Sequence, residues 1–154
     1  MAQPTNANPS QQSPSLFDIC IIGAGPSGLF GAYYAGFREM STAIVDAIPE
    51  PGGQLAVLYP EKFIFDVPGY PQVLARDLAK SLFIQATKFN PVLYMGEKAN
   101  QLVRNSDSTF SIITDKRTIN AKSVLITAGV GSFSPNRLNI ENQESDFARS
   151  LART

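Results

Sequence analysis

Six residues, Gly23-Ala24-Gly25-Pro26-Ser27-Gly28, set three glycines at the spacing G-x-G-x-x-G. That spacing can hold a pyrophosphate. The first glycine permits a tight turn, the second lets backbone approach the phosphates, and the third lets a helix pack closely on a strand. A helix beginning near Ser27 aims free N–H groups and its positive dipole end at the same anion. Alone, the six residues could be an ordinary turn. Here they follow an apolar run, open a helix, and precede an acid at the end of the next strand, the context that makes the pattern a dinucleotide fingerprint. The acid is Asp46, 18 residues beyond Gly28. A carboxylate there accepts hydrogen bonds from ribose hydroxyls and repels a 2′-phosphate, which suits FAD or NAD and disfavours NADP at this site.

Two more segments bear on the choice between FAD and NAD. Pro51-Gly52-Gly53-Gln54-Leu55 puts a glycine pair and an amide shortly after the acid, and Ile126-Thr127-Ala128-Gly129 ends a late apolar run in small residues. Either could be a plain turn or a glycine-capped strand end. Taken in this order with the first glycine turn, they point to FAD.

The elements that must carry these residues follow from patterning. Phe17–Ile22 is nearly continuous apolar sequence, as in a parallel strand buried on both faces. A compact helix is expected from about Ser27 to Gly36, with Gly31, Ala32 and Ala35 allowing close packing. Thr42–Val45 reads as a second strand ending at Asp46, which completes a βαβ unit. Ile48–Gly69 is punctuated by Pro and Gly but carries Leu55, Leu58, Phe63 and Phe65, so it is expected to be an ordered excursion. Leu74–Phe89 predicts an amphipathic helix with Leu78, Leu82, Ala86 and Phe89 on one stripe, stopped by Pro91. Val92–Tyr94 is a third parallel strand. Leu102-Val103, Phe110–Ile113 and Thr118-Ile119 predict a small antiparallel meander, and Val124–Thr127 another buried strand. Residues 1–15 are polar and predict a disordered leader; residues 16–142 form the binding domain, and 143–154 a polar tail.

Composition narrows the chemistry. Lys+Arg and Asp+Glu both number 13, so no net charge favours nucleic acid or an anionic membrane as partner. No apolar run approaches the length of a membrane span, the first residues lack a secretory signal, and a cytoplasmic setting is the default. The single Cys20 excludes an internal disulfide and any CxxC pair. There is no histidine, so the commonest general base and metal ligand is missing. No catalytic side chain and no metal site is expected, and any chemistry belongs to a cofactor.

With these residues in place, the chain resembles the thioredoxin-reductase-like ferredoxin/flavodoxin–NADP⁺ reductases, flavoproteins with two dinucleotide-binding domains. The resemblance runs from about Leu16 to Asn142. It is carried by Asp18–Leu29, by Ile126-Thr127-Ala128-Gly129 with Phe133, and most specifically by Gly52–Pro71, since thioredoxin reductases proper read differently after Gly-Gly-Gln. It implies a Rossmann-like α/β FAD domain and an oxidoreductase in which hydride passes from NADPH to FAD and single electrons pass to ferredoxin or flavodoxin. It also implies roles for particular residues. Gly23, Gly25, Ser27 and Gly28 face the pyrophosphate, Asp46 the adenosine ribose, and Ala99 the adenine through its backbone. Gln54, Tyr59 and Phe133 lie on the flavin side, with Tyr59 packed on the isoalloxazine. Family members are homodimers. Their FAD domain is interrupted by an NADPH domain, for which no second G-x-G-x-x-G exists here. The expectation is therefore an incomplete, truncated portion that holds part of the FAD cradle and lacks NADPH turnover. Two rivals remain. One is a non-catalytic FAD- or nucleotide-binding remnant. The other is a single-domain NAD-dependent dehydrogenase, marked by a catalytic Tyr-x-x-x-Lys or a histidine base, and set aside for want of either.

Overall fold

The computed structural model describes residues 16–131; the expected leader and tail, and Phe133, lie outside them. Strand β1 (Phe17–Ile22) runs through the middle of a six-stranded sheet whose order is β5 (Val92–Met95), β2 (Thr42–Asp46), β1, β8 (Thr118–Ile126), β7 (Phe110–Thr114) and β6 (Ala99–Arg104). It is paired in parallel with β2 on one side and β8 on the other. Its apolar run is continuous because both faces are covered. Cys20 and its neighbour Ile21 point to opposite faces and both are fully buried. Burial pushes the Cys20 thiol up to about 12, so it stays protonated and packs as a small hydrophobe.

On one face, helix α1 (Pro26–Phe37) and helix α3 (Ala75–Ala86) cover Ile21 and Ile44 with Leu29, Ala32 and Ala86. Close approach is built into α1: a Cβ placed on Gly31 would lie 2.7 Å from Leu125 Cδ2. The expected apolar stripe of α3 holds at Leu78 and Ala86. It breaks at Phe89, which sits in a 3₁₀ turn (Thr87–Phe89) and is 39% exposed. Asn90, in the left-handed region at φ +53°, ends the helical path one residue before Pro91. The excursion after Asp46 is ordered, as expected. It contains a one-turn helix α2 (Gln54–Val57) and a short antiparallel pair, β3 (Phe63–Ile64) with β4 (Val73–Leu74).

The other face is covered by the meander. Strand β5 (Val92–Met95) adds in parallel to β2, as the sequence predicted. Strands β6 (Ala99–Arg104) and β7 (Phe110–Thr114) then form antiparallel pairs that end on β8. Ile112, Ile119 and Ala121 from this unit pack on Phe17, Cys20, Ala43 and Val45.

The sequence predicted two short strands where the structure has the single nine-residue β8. Asn120, Lys122 and Ser123 read as a polar interruption, yet they lie within the strand. Ala121 pairs with Phe110 on the antiparallel side and with Phe17 on the parallel side, so β8 joins the meander to the central sheet. The polar residues serve that joint. Ser123 Oγ donates to the Asp18 carbonyl (2.7 Å), and Lys122 Nζ to Asp18 Oδ1 (2.8 Å).

Asp18 also accepts the Ser41 hydroxyl (2.6 Å) and the Ser41 N–H (2.8 Å) on Oδ2. Lys122 first, and then Ser41, hold its carboxyl well below the usual carboxylate range. A depressed folded pKa stabilises the protein above the unfolded value, and that contribution is lost as the pH falls below it. Asp18→Asn is thus expected to lower the urea midpoint at about pH 7, with the gap from wild type narrowing toward about pH 2. A gap of equal size at both pH values would show that the charge contributes nothing.

Candidate functional site

The carboxyl ends of β1, β2 and β8 open into a cleft of about 370 Å³. This is where an open α/β sheet places ligands. The cleft is built from the glycine turn outward. Gly23, at φ +109°, is pressed against β8: a Cβ there would sit 2.5 Å from the Thr127 carbonyl oxygen. Thr127 Oγ1 lies 3.1 Å from the carbonyls of both Ile22 and Gly23, which share its proton. Gly28 packs beneath the turn, with space for no side chain. Gly25 is different. An added Cβ would meet nothing within 4 Å, so its backbone faces open cleft. The first bond of α1 runs from the Leu29 N–H to the Gly25 carbonyl (2.9 Å). Ser27 and Gly28 precede it, and their N–H groups are free at the positive end of the helix.

Asp46 closes one end. Its Oδ2 accepts the Ala24 N–H (2.6 Å) and its Oδ1 the Ile48 N–H (2.8 Å), so the acid orders the turn beside it. A carboxylate offers about four lone-pair sites, which leaves capacity for ribose hydroxyls. The second glycine loop is tied to the first by the Gly52 N–H, which donates to the Ala24 carbonyl (2.8 Å). Gly53, at φ +58°, stands close enough that a Cβ would lie 3.0 Å from Gly25 Cα. Gln54 begins α2 at the far side of the cleft, where its Nε2 would be 3.7 Å from a Cβ on Gly129. The three segments singled out in the sequence therefore meet in one place.

Gly23, Gly25, Ser27, Asp46, Gln54 and Ala99 all line the cleft. Gly28 supports it from below. Tyr59 does not line it: the ring is 49% exposed, with Lys62 Nζ 5.4 Å from its centre. Lys98 lines the cleft and was not anticipated. In the sequence, Glu97-Lys98 reads as an ordinary surface charge pair, and no local signal marks it. Asp46 and Lys98 are the only charged residues of the lining among the described residues.

One ground for setting aside a dehydrogenase fails. Tyr94-Met95-Gly96-Glu97-Lys98 does have the Tyr-x-x-x-Lys spacing. Geometry separates the two residues. Tyr94 lies on β5 and turns its ring to Phe17, edge-on at 6.5 Å, on the meander side of the sheet and outside the cleft lining. Among the described residues, no helix is long and apolar enough to cross a membrane, and no group of three or more His, Cys, Asp or Glu could hold a metal ion.

A parallel α/β sheet with a glycine turn between β1 and α1, and an acid at the tip of β2, defines the class of dinucleotide-binding folds. Comparison with known proteins narrows it. No family model matches the chain. A ferredoxin–NADP reductase of Halalkalibacterium halodurans is 46% identical over 136 residues, 88% of this chain and 41% of the relative. One of Saccharopolyspora erythraea is 47% identical over 125 residues, 81% of this chain and 38% of the relative. The crystal structure of T. acidophilum thioredoxin reductase superposes with a TM-score of 0.70 at 26% identity, covering 88% of this chain and 41% of that one. The chain is a homologue of the ferredoxin–NADP reductases, an oxidoreductase family, in the thioredoxin-reductase-like form of the fold. It spans about two fifths of the length of the curated relatives it matches.

Proposed function

We propose that this chain is the FAD-binding portion of an NADPH-dependent reductase of ferredoxin or flavodoxin, with residues 16–142 as the binding unit. The observation that carries the reading is the convergence of two hydrogen-bonded glycine loops, a free helix N-terminus and an acid on one cleft.

The donor set fits FAD. Open backbone at Gly25, with the N–H groups of Ser27 and Gly28, suits a pyrophosphate. Asp46 suits the adenosine ribose, and the start of β6 at Ala99 the adenine. Gln54 and the Thr127–Gly129 strand end lie on the flavin side. Tyr59 is proposed to pack its exposed ring on the isoalloxazine, and Phe133 to add a second aromatic there. When bound, the flavin supplies the hydride and one-electron chemistry that links NADPH to ferredoxin. The chain's own part is to neutralise the pyrophosphate, orient the ribose and reject a 2′-phosphate through the charge on Asp46.

The test is purification of the chain, identification of any nucleotide released by heat, and titration with FAD. Bound FAD, or saturable uptake with a change in flavin absorption, is expected. A colourless preparation that takes up no FAD defeats the reading, and released NAD moves it to the dehydrogenase rival. NADPH-driven dye reduction by the 154-residue chain is expected to be undetectable, since its one G-x-G-x-x-G is occupied by FAD in this reading.

A further inference from the structure

Glu97 is the buried carboxylate among the described residues, 2% exposed, and the dinucleotide reading leaves it without a role. It stands between Gly96, at φ +64°, and Lys98 on the cleft lining. The β7–β8 hairpin holds it from the other side. The one proton of Thr114 Oγ1 is shared between Oε1 (2.6 Å) and the Arg117 carbonyl (2.8 Å), and Arg117 Nε lies 3.0 and 3.1 Å from Oε1 and Oε2. The Thr114 hydroxyl is itself fixed by the N–H groups of Lys116 (3.1 Å) and Arg117 (2.8 Å). The Arg117 guanidinium also rests 4.8 Å from the centre of the Tyr94 ring.

The backbone carries this clamp to the cleft. The Glu97 N–H donates to the Asp46 carbonyl (2.8 Å), and the Gly96 N–H to the Ile48 carbonyl (3.1 Å). Asp46 in turn holds Ala24, and Ala24 accepts the Gly52 N–H. One path of hydrogen bonds therefore runs from the hairpin through Glu97 and Asp46 to both glycine loops. Glu97 is buried but the Arg117 side chain is half exposed, so the pair adds little net stability: solvent screens the arginine while desolvation of the carboxylate offsets the attraction. The pair does penalise every geometry in which the buried carboxylate loses its partners.

We propose that Glu97, clamped by Thr114 and Arg117, is a positioning residue that fixes the Gly96–Ala99 wall against Asp46 and so sets the adenosine end of the cleft. This rests on the dinucleotide reading above. The test measures FAD and ADP affinities by calorimetry for wild type, Glu97→Gln, Thr114→Val, Thr114→Ser and Arg117→Met, each checked for folding by circular dichroism and for its melting temperature without nucleotide. Thr114→Val and Arg117→Met keep Glu97 in place while loosening the clamp, so they report even where Glu97→Gln fails to fold.

Folded Thr114→Val and Arg117→Met are expected to bind FAD and ADP about tenfold more weakly. Both ligands should lose the same factor because they share the adenosine end. Thr114→Ser, which keeps the hydroxyl, is expected to restore wild-type affinity. A merely structural clamp would lower the melting temperature and leave the affinities of the folded protein unchanged, and that result overturns the inference alone. A wild-type chain that binds neither FAD nor ADP overturns the dinucleotide reading and the inference with it.

Discussion

Gly28→Ala is expected to abolish FAD uptake and to destabilise the fold by about 3 kcal/mol or more, at or beyond the upper end of ordinary overpacking. The added Cβ would lie 1.9 Å from the Gly23 carbonyl oxygen and 2.7 Å from Thr127 Oγ1. The first contact is with backbone that is itself pressed onto β8, so no side-chain rotation relieves it. Gly25→Ala is the matched control. At φ −74° and ψ −178° alanine is unstrained there, and its Cβ meets nothing within 4 Å. Losing glycine at an N-cap changes stability by no more than about 1 kcal/mol, whereas a methyl group would stand where the pyrophosphate must approach. Urea denaturation and FAD titration on the two variants should thus separate folding from binding. A Gly28→Ala protein with wild-type stability would show that the turn can move, and undiminished FAD binding by Gly25→Ala would remove the pyrophosphate from that site.

Asp46→Ala has the second largest expected effect, a loss of FAD affinity of about a hundredfold or more, close to 3 kcal/mol. Two consequences combine. The ribose loses its acceptor, and the N–H groups of Ala24 and Ile48 lose theirs, each such bond to a charged group being worth about 1.5–3 kcal/mol. Asp46→Asn is expected to be nearly as damaging. Its one amide oxygen can hold only one of the two N–H groups, and its NH₂ faces the other. Equilibrium titration with FAD measures the loss, and affinity within threefold of wild type in the alanine variant would take the acid out of the binding site. The same titration with an NADP analogue should show the alanine variant discriminating less against a 2′-phosphate.

What could be read from the sequence follows from how local each signal is. Strand β1, the glycine turn, α1 and Asp46 lie within thirty residues, and every one of them carries its own pattern: apolar run, G-x-G-x-x-G, small-residue helix, terminal acid. Their positions agree with the structure almost residue for residue. The meander and the third parallel strand were legible by alternation and by turn residues. The unity of β8 was not, because Lys122 and Ser123 are polar for partners on β1, more than a hundred residues earlier, and Asn120 for Ser111 on β7. Glu97 was invisible for the same reason. Beside Lys98 it has the pattern of a solvated turn, and its partners Thr114 and Arg117 lie 17 and 20 residues away with no pattern joining them. Tyr59 came from family resemblance alone, and the cleft as described does not include it.

The central place of β1 in the sheet bears on how the chain is made. One of its two strand neighbours, β2, leaves the ribosome soon after it, but the other, β8, follows about a hundred residues later. At synthesis rates of about 5–20 residues per second, one edge of this largely apolar strand waits roughly 5–20 s for its partner. An unpaired strand edge of that kind is a template for association with other chains. The nascent protein is therefore most vulnerable in the interval before Ser123, Val124 and Leu125 emerge. Ribosome-stalled chains ending before Thr118 should engage chaperones far more than chains that have passed Gly131.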